Sequence, residues 1–281
     1  MVDLTTVGLM LLAGLLQASW HALVKYGADQ LVVLAGMGLV AAIVAACALP
    51  FLPLPSAPVW GVIAGSVLLH VGYKLALARS YRLGDLSQAY PLARGFVPLL
   101  STAIAFVLLG QVPSSGQTFG IVLVSLGLLL LTTHSIRGGV DHRIFLAALI
   151  AGATVAGYSV VDAYGTRLAG NWAAFTAWLI VADTLSFSLL ARWLRGPKIW
   201  GELWRLRATM AAAGLLGVLS FSVFLWALSR GPVGAVSALR ESSVLFATVI
   251  GIAIHRENPS LAKVAAAGLI VMGIFTIAAW R

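Results

Sequence analysis

Ten stretches of about 20 predominantly apolar residues follow one another along this chain, each long enough to cross a ~30 Å hydrocarbon layer as a helix. They cover roughly 4–25, 31–52, 59–79, 86–109, 116–134, 144–165, 172–194, 207–229, 234–254 and 260–280. In hydrocarbon every backbone N–H and C=O must be met inside the segment, so spans of this kind are helices. The connections are short and rich in helix breakers: PFLPLPSAP (50–58), RLGD (82–85), GQVPSSG (110–116), RGGVDHR (137–143), RGP (230–232) and HRENPS (255–260). Loops this short oblige neighbouring helices to pack antiparallel. The expected fold is therefore an all-α integral membrane protein with ten transmembrane helices. Composition agrees: 60% hydrophobic and 10% charged, with a mean hydropathy of +1.00, against about a quarter charged in soluble domains.

The charge balance is lopsided, 18 Lys+Arg against 9 Asp+Glu, for a net +9. In a soluble chain this would raise nucleic-acid binding. Here most basic residues lie in the short loops, where the positive-inside bias accounts for them, so nucleic acid is not an expected partner. Loops after odd-numbered spans hold Lys25, Arg79, Arg137, Arg143, Arg195, Lys198, Arg207 and other cations, whereas the opposite side shows only Arg167, Arg230 and Arg281. That count places the termini outside. The longest connection, about 195–206, reads as an interfacial amphipathic segment anchored by Trp200 and Trp204. The opening segment lacks the basic n-region of a signal peptide and reads as a retained first helix. Cys47 is the single cysteine and is expected to be a small buried hydrophobe; no disulfide or metal-thiolate set is expected.

Two arginines lie well inside apolar spans: Arg94 in LSQAYPLARGFVPLLSTAIAFVLLG and Arg240 in GAVSALRESSVLFATVIGIAI. A guanidinium does not deprotonate in proteins, and holding one near the bilayer centre costs several kcal/mol, so it faces a polar cavity or a partner. Aligning the two also sets Gln111-Val112-Pro113-Ser114 against Glu257-Asn258-Pro259-Ser260 without a gap, each leading into a Gly-rich closing helix. Five spans plus five, with five odd, would insert the halves with opposite topology, 1–136 and 144–281. Inverted repeats of this kind form transporters whose site lies near the midplane.

Pro91, Arg94 and Pro98 share one face of the fourth span. This face is either the flexible wall of an anion-binding cavity or a kinked helix whose arginine pairs with Asp183 or Glu241, or snorkels. In the ninth span Ser237, Arg240 and Glu241 form a stripe beside Ser242 and Ser243. Adjacent Arg240 and Glu241 point about 100° apart, so each should find its partner on another helix. Glu241 is a candidate for protonation-coupled transport or for simple neutralisation of an arginine. His70 and Lys74 lie one turn apart with Tyr73 beside them; Lys74 is expected to snorkel, and His70 to hydrogen-bond or take a proton. His21 is a cavity residue or an interhelical hydrogen-bonder. Tyr158, Asp162 and Asp183 complete the polar set; Asp183 reads as a salt-bridge partner before a proton carrier, and Asp162 as facing solvent or Arg167.

There is no G-x-x-x-x-G-K-[ST], HExxH, GxSxG or Cys/His cluster in the chain. An ATPase or a membrane-embedded enzyme therefore lacks its constellation, and no cofactor or metal is expected.

SWHALVK (19–25) resembles the first-helix motif of the drug/metabolite transporter superfamily, in particular its EamA branch. ALARSYRLGDLSQAYPLARGFVPLLSTAIAFVLLGQ (76–111) resembles that branch's third and fourth helices, and RESSVLFATVIGIAIHRE (240–257) its ninth. The resemblance covers essentially the whole chain. It implies ten helices in two EamA repeats and a multi-pass plasma (inner) membrane carrier, typically exporting or exchanging amino acids, related metabolites or drugs. The YPLARG form also resembles members associated with phosphonate use. Relatives carry the hinge as Gly-Glu; here the first copy is Gly110-Gln111, and Glu257 keeps the acid in the second. Basic residues on helices three, four and nine contact anionic cargo in phosphate-translocating relatives, which bears on His70, Arg94 and Arg240. The resemblance also implies cytoplasmic termini, against the charge count.

The functional expectation is secondary transport, as exporter or exchanger, of an amino acid or an organic or phosphonic acid through a cavity between the repeats. Arg94 and Arg240 would hold the anionic group, with His70, Tyr73, Tyr90 and Ser237 shaping the rest, in a monomer or homodimer coupled to a proton gradient or to exchange. Alternatives are a flippase for a lipid carrier with an anionic head group and a membrane-embedded structural subunit, for which closed charge pairs would be expected.

Overall fold

The computed structural model describes residues 3–24, 29–83, 86–135, 142–196, 199–255 and 260–280. Among them the chain is helical: α1 (Leu4–Val24), α2 (Gln30–Ala48) running into a 3-10 turn (Leu49–Phe51), α3 (Ala57–Leu83), α4 (Leu86–Leu109), α5 (Ser115–Ser135), α6 (His142–Leu168), α7 (Trp172–Arg195), α8 (Ile199–Arg205), α9 (Arg207–Arg230), α10 (Val233–Arg240), α11 (Ser242–His255) and α12 (Leu261–Ala279). Eight spans among the described residues are long and apolar enough to cross a membrane, and the apolar stretches Ala93–Leu109 and Ser115–Leu131 are shorter. The chain is a multi-pass membrane protein.

Local chemistry sets the ends of these helices. Ser114 and Gln117 form a reciprocal capping box at the start of α5, each side chain accepting the other's backbone N–H at 3.2 Å. Asp29 caps α2 through Leu31 N–H, and Asn171 caps α7 through Ala174 N–H, both at 3.0 Å. Gly196 ends α7 at φ 68°, a left-handed conformation open to glycine without a Cβ penalty. The 195–206 segment holds the seven-residue α8, with Trp204 exposed and the Arg207 guanidinium 4.6 Å from its ring centre.

The helices pack in a defined set of pairs. α5 lies along α12 and α2 along α7; α3 packs on α6, α1 on α9, α4 on α6, and α1 on α10 and α11. The α5–α12 contact is close enough to exclude side chains. A Cβ on Gly273 would stand 2.6 Å from the Gly120 carbonyl oxygen, and a Cβ on Gly120 would stand 2.7 Å from that of Gly273. Small residues allow such backbone approach in lipid, where dispersion rather than water exclusion drives association. The outer faces of this pair present Phe119, Met272 and Phe275 to the surroundings, as lipid-facing helices do.

At the centre sits α10, every residue of which is buried. The sequence reading took 234–254 as one helix; the structure divides it at Glu241 (φ −70°, ψ −6°), where the backbone closes i→i−3 bonds, Glu241 N to Ala238 O and Val244 N to Glu241 O. Ser242 and Ser243 are weak helix formers, and Arg240 and Glu241 are drawn in different directions by their partners, so the turn tightens there. α4, at the matching place in the first half, runs unbroken through Pro91 and Pro98. Near Pro98, whose ring removes a helix N–H, Ser101 and Thr102 donate their hydroxyls back to the Pro98 carbonyl. Cys47, expected to be buried, is exposed on α2, because the face it occupies has no helix packed against it.

Candidate substrate site

The break between α10 and α11 gathers the charged residues singled out from the sequence. Arg94, on α4, donates to Glu241 Oε1 at 3.0 Å; the arginine side chain is 3% exposed and the glutamate 0%. Arg240, one residue before Glu241, turns the other way. Its Nε donates to Gln17 Oε1 on α1 at 2.9 Å and its Nη1 to the Tyr158 hydroxyl on α6 at 3.3 Å, while the guanidinium carbon lies 4.1 Å from the Phe224 ring centre on α9. The two residues thus find partners on different helices, as their angular separation requires.

The electrostatics differ sharply between the two arginines. Arg94 is neutralised by a carboxylate in direct contact. Among the described residues the hydrogen-bond partners of Arg240 are neutral, and an aromatic face supplies the remaining stabilisation. Counting Arg94, Arg240 and an ionised Glu241, the cluster carries one positive charge in excess. His21 on α1 lies within electrostatic range of both guanidinium groups and stacks on Trp20 with ring centres 3.7 Å apart.

Several polar atoms around the break are buried without a hydrogen-bond partner among the described residues: Gln17 Nε2, Glu241 Oε2 and the hydroxyls of Ser237, Ser242 and Ser243. Buried polar groups in native proteins are nearly always satisfied, so unmet ones gathered at one locus single it out as a candidate site. α1 approaches this locus closely, since a Cβ on Gly14 would lie 2.3 Å from Ser242 Oγ. Gly234 likewise seats α10 against α4, where a Cβ would lie 2.0 Å from Thr102 Oγ1.

The remaining candidates form two further polar groups. His70 faces Asp162, Nε2 to Oδ2 at 3.1 Å, with the Ser66 hydroxyl on Oδ1; Asp162 is fully buried, which corrects its assignment to solvent or Arg167. Arg167 instead donates to the carbonyls of Leu228 and Gly231, closing the end of α9. Lys74 bonds Asp183 at 2.5 Å, with both side chains 15–16% exposed and the Phe187 ring beneath the ammonium. Instead of snorkelling it is held by the carboxylate on α7. Asp183 is thereby a salt-bridge partner of Lys74 rather than of Arg94. Tyr73 packs edge-on against Tyr158 with ring centres 6.0 Å apart. The side chains of Tyr90 and Glu257 lie outside the described residues. Gln17 escaped the sequence reading, although an amide within LLAGLLQASW carries the same signal as a charge at membrane depth.

Residues 142–279 match the profile of the EamA-like transporter family. The match lies in the second half of the chain, which is similar to that family. A solved structure described as "Crystal structure of protein" superposes on the whole chain with a TM-score of 0.75, covering 98% of this chain and 96% of that one at 20% identity, a likeness that shows the fold. The sequence matches none of the curated proteins it was compared with. The family is one of transporters in the drug/metabolite superfamily, and the buried polar cluster lies where α1, α4, α6, α9 and the α10–α11 break meet. A ~380 Å³ cavity lined by Thr166, Arg167, Gly170, Trp172, Ser229 and Arg230 opens separately, at the ends of α6 and α9.

Proposed function

We propose that this protein is a secondary transporter, exporter or exchanger, that carries a small polar metabolite with an anionic group through the centre of the bundle. Arg240 is the anchor for the anion. Glu241 and Arg94 form a closed pair beside it that holds the α10–α11 break against α4. The observation that carries this reading is the excess positive charge at a broken helix, beside buried polar atoms that lack partners. A charge imbalance in hydrocarbon is costly, and an anionic guest removes it.

The halves act as inverted five-helix repeats, 1–136 and 144–281. Support comes from the packing pairs. Exchanging α1–α5 with α6, α7, α9, α10/α11 and α12 turns the α3–α6 contact into α9–α1, α4–α6 into α10/α11–α1, and α2–α9 into α7–α3, while α2–α7 and α5–α12 map onto themselves. Discontinuous helices at a repeat interface are a recurring way to build a midplane site.

The test is a thermal-shift screen of the purified protein against amino acids, organic acids and phosphonates. A ligand that binds the folded form raises the melting temperature by mass action. The expected hit carries a carboxylate or phosphonate, and Arg240→Gln abolishes its effect while the variant still inserts and folds. Arg240→Gln moving every cargo at the parental rate would overturn the assignment.

A further inference from the structure

Beside the arginine cluster, between α3 and α6, a second ionisable group is sealed from both lipid and water. Asp162 is 0% exposed, and its two oxygens face the Ser66 hydroxyl and His70 Nε2. The His70 ring lies flat against the Tyr158 ring, centres 4.0 Å apart and planes 21° from parallel, and the Tyr158 hydroxyl is the one that receives the Arg240 guanidinium. We infer that Asp162 and His70 together form a proton-binding site, and that its occupancy is coupled through Tyr158 to anion binding at Arg240. The coupling rests on the transport reading above; the proton site does not.

The argument begins with charge. A carboxylate enclosed in protein at membrane depth carries a negative charge only with a cation in contact. His70 is the group placed to supply it, by keeping the ring proton that faces Oδ2. The pair therefore carries one proton as a unit. The surrounding charges leave this arrangement to the pair itself. On α3, Lys74 is engaged by Asp183 of α7; α9 faces the ring with Phe221, edge-on at 5.5 Å; α4 contributes Arg94, engaged by Glu241; α10 contributes Arg240; and among the described residues the phenols of Tyr73 and Tyr158 lie beside the ring.

The direction of coupling follows from signs. With the proton bound, the pair is neutral overall, and Arg240 presents its full charge to an incoming anion. With the proton lost, the pair is a net anion one aromatic ring away from Arg240, and it repels the cargo's own negative charge. Proton and anion thus favour each other's binding, and linkage makes the effect reciprocal. A carrier built this way moves the two together.

The test uses full-length protein in lipid nanodiscs with nitrogen-15 in its histidine rings, followed by NMR from about pH 5 to 9. His70→Gln assigns the signal. The expected wild-type spectrum at neutral pH shows His70 as an imidazolium, and Asp162→Asn converts it to the neutral ring at the same pH. A neutral ring in the wild type overturns the proton site, as does an imidazolium that persists in Asp162→Asn. Should Asp162→Asn fail to insert, the wild-type spectrum decides alone. The coupling is read separately, with the carboxylate and phosphonate probes of the thermal-shift screen. Their affinity is expected to be at least about fivefold higher where the ring is charged than where it is neutral, with the difference lost in Asp162→Asn. A pH-independent affinity, or the same dependence in Asp162→Asn, sinks the coupling. No stabilisation by any anion at any pH sinks the transport reading and the coupling with it, while the spectrum still decides the proton site.

Discussion

Arg94 and Arg240 align when the two halves of the sequence are set side by side, yet they live in opposite electrostatic circumstances. Arg94 projects from an unbroken α4 onto a buried carboxylate. Arg240 ends a half-helix and is held by an amide, a phenol and an aromatic face. The first is a closed pair, the second a buried charge whose hydrogen-bond partners among the described residues are neutral. The lesson is that equivalence in sequence does not make equivalent chemistry: a single acid on the second half, Glu241, reaches across to the first and makes the site asymmetric. On the proposed reading, structure and cargo recognition are divided between the two arginines accordingly.

The largest effect that can break this comparison is removal of the acid. Glu241→Gln leaves the Arg94 guanidinium buried without its counter-charge, and breaking such a pair costs about 3–5 kcal/mol. The variant is expected to show strongly reduced yield and a lowered melting temperature in detergent. Arg94→Gln should be comparably damaging, and the double variant Arg94→Gln, Glu241→Gln less so than the sum of the two. If the double variant instead shows the full sum, the two residues are not a closed pair. Packing offers a second reference. Gly273→Leu on the α5–α12 seam must push a side chain into the Gly120 carbonyl, with an expected loss of about 1–3 kcal/mol measured in the same melts. It should leave anion binding intact, because neither glycine is among the contacts of Arg240.

Arg240→Gln sharpens the contrast from the other side. Its partners are neutral, so its loss leaves hydrogen bonds unmet but no naked charge, and about 1–3 kcal/mol is expected. The same variant should lose all anion-dependent stabilisation. A variant that melts as poorly as Glu241→Gln would mean that Arg240 is as structural as Arg94.

The smallest effect comes from the ion pair at the rim of the bundle, Asp29 with Arg195, whose side chains are 24% and 29% exposed. Burial pushes the Asp29 carboxyl up, but the Arg195 guanidinium and the backbone N–H of Leu31 outweigh it and hold the group below the ordinary aspartate range. A carboxyl depressed on folding stabilises the protein above its unfolded value, near 3.8, and that contribution is lost as pH falls through the folded value. Asp29→Asn is therefore expected to cost up to about 1 kcal/mol at neutral pH, less in high salt, with the difference from wild type vanishing in strong acid. Melting curves across pH and ionic strength measure it. A loss as large as that of Glu241→Gln would remove the distinction between buried and rim charges on which the comparison stands.

Much of the architecture was legible before any coordinates. Apolar length and breaker loops announced the spans, since a bilayer leaves helices little alternative, and the arginines stood out because charge is rare at that depth. The angular separation of Arg240 and Glu241 followed from 3.6 residues per turn. What the sequence left open was pairing: Glu241 and Asp183 were both candidates for Arg94, Lys74 was assigned to the interface, and Asp162 to solvent or Arg167. Gln17 was overlooked for want of a charge.

The chain alone thus determined that these residues lie in helices at membrane depth, because periodicity and hydropathy are local properties. Only the tertiary structure decided that Lys74 meets Asp183, that His70 meets Asp162, that Glu241 closes on Arg94, and that the ninth span breaks where its charges part. Those outcomes depend on which helix faces lie within about 3 Å of one another, a geometry set by packing between segments distant in sequence. No rule of spacing within a single helix contains it.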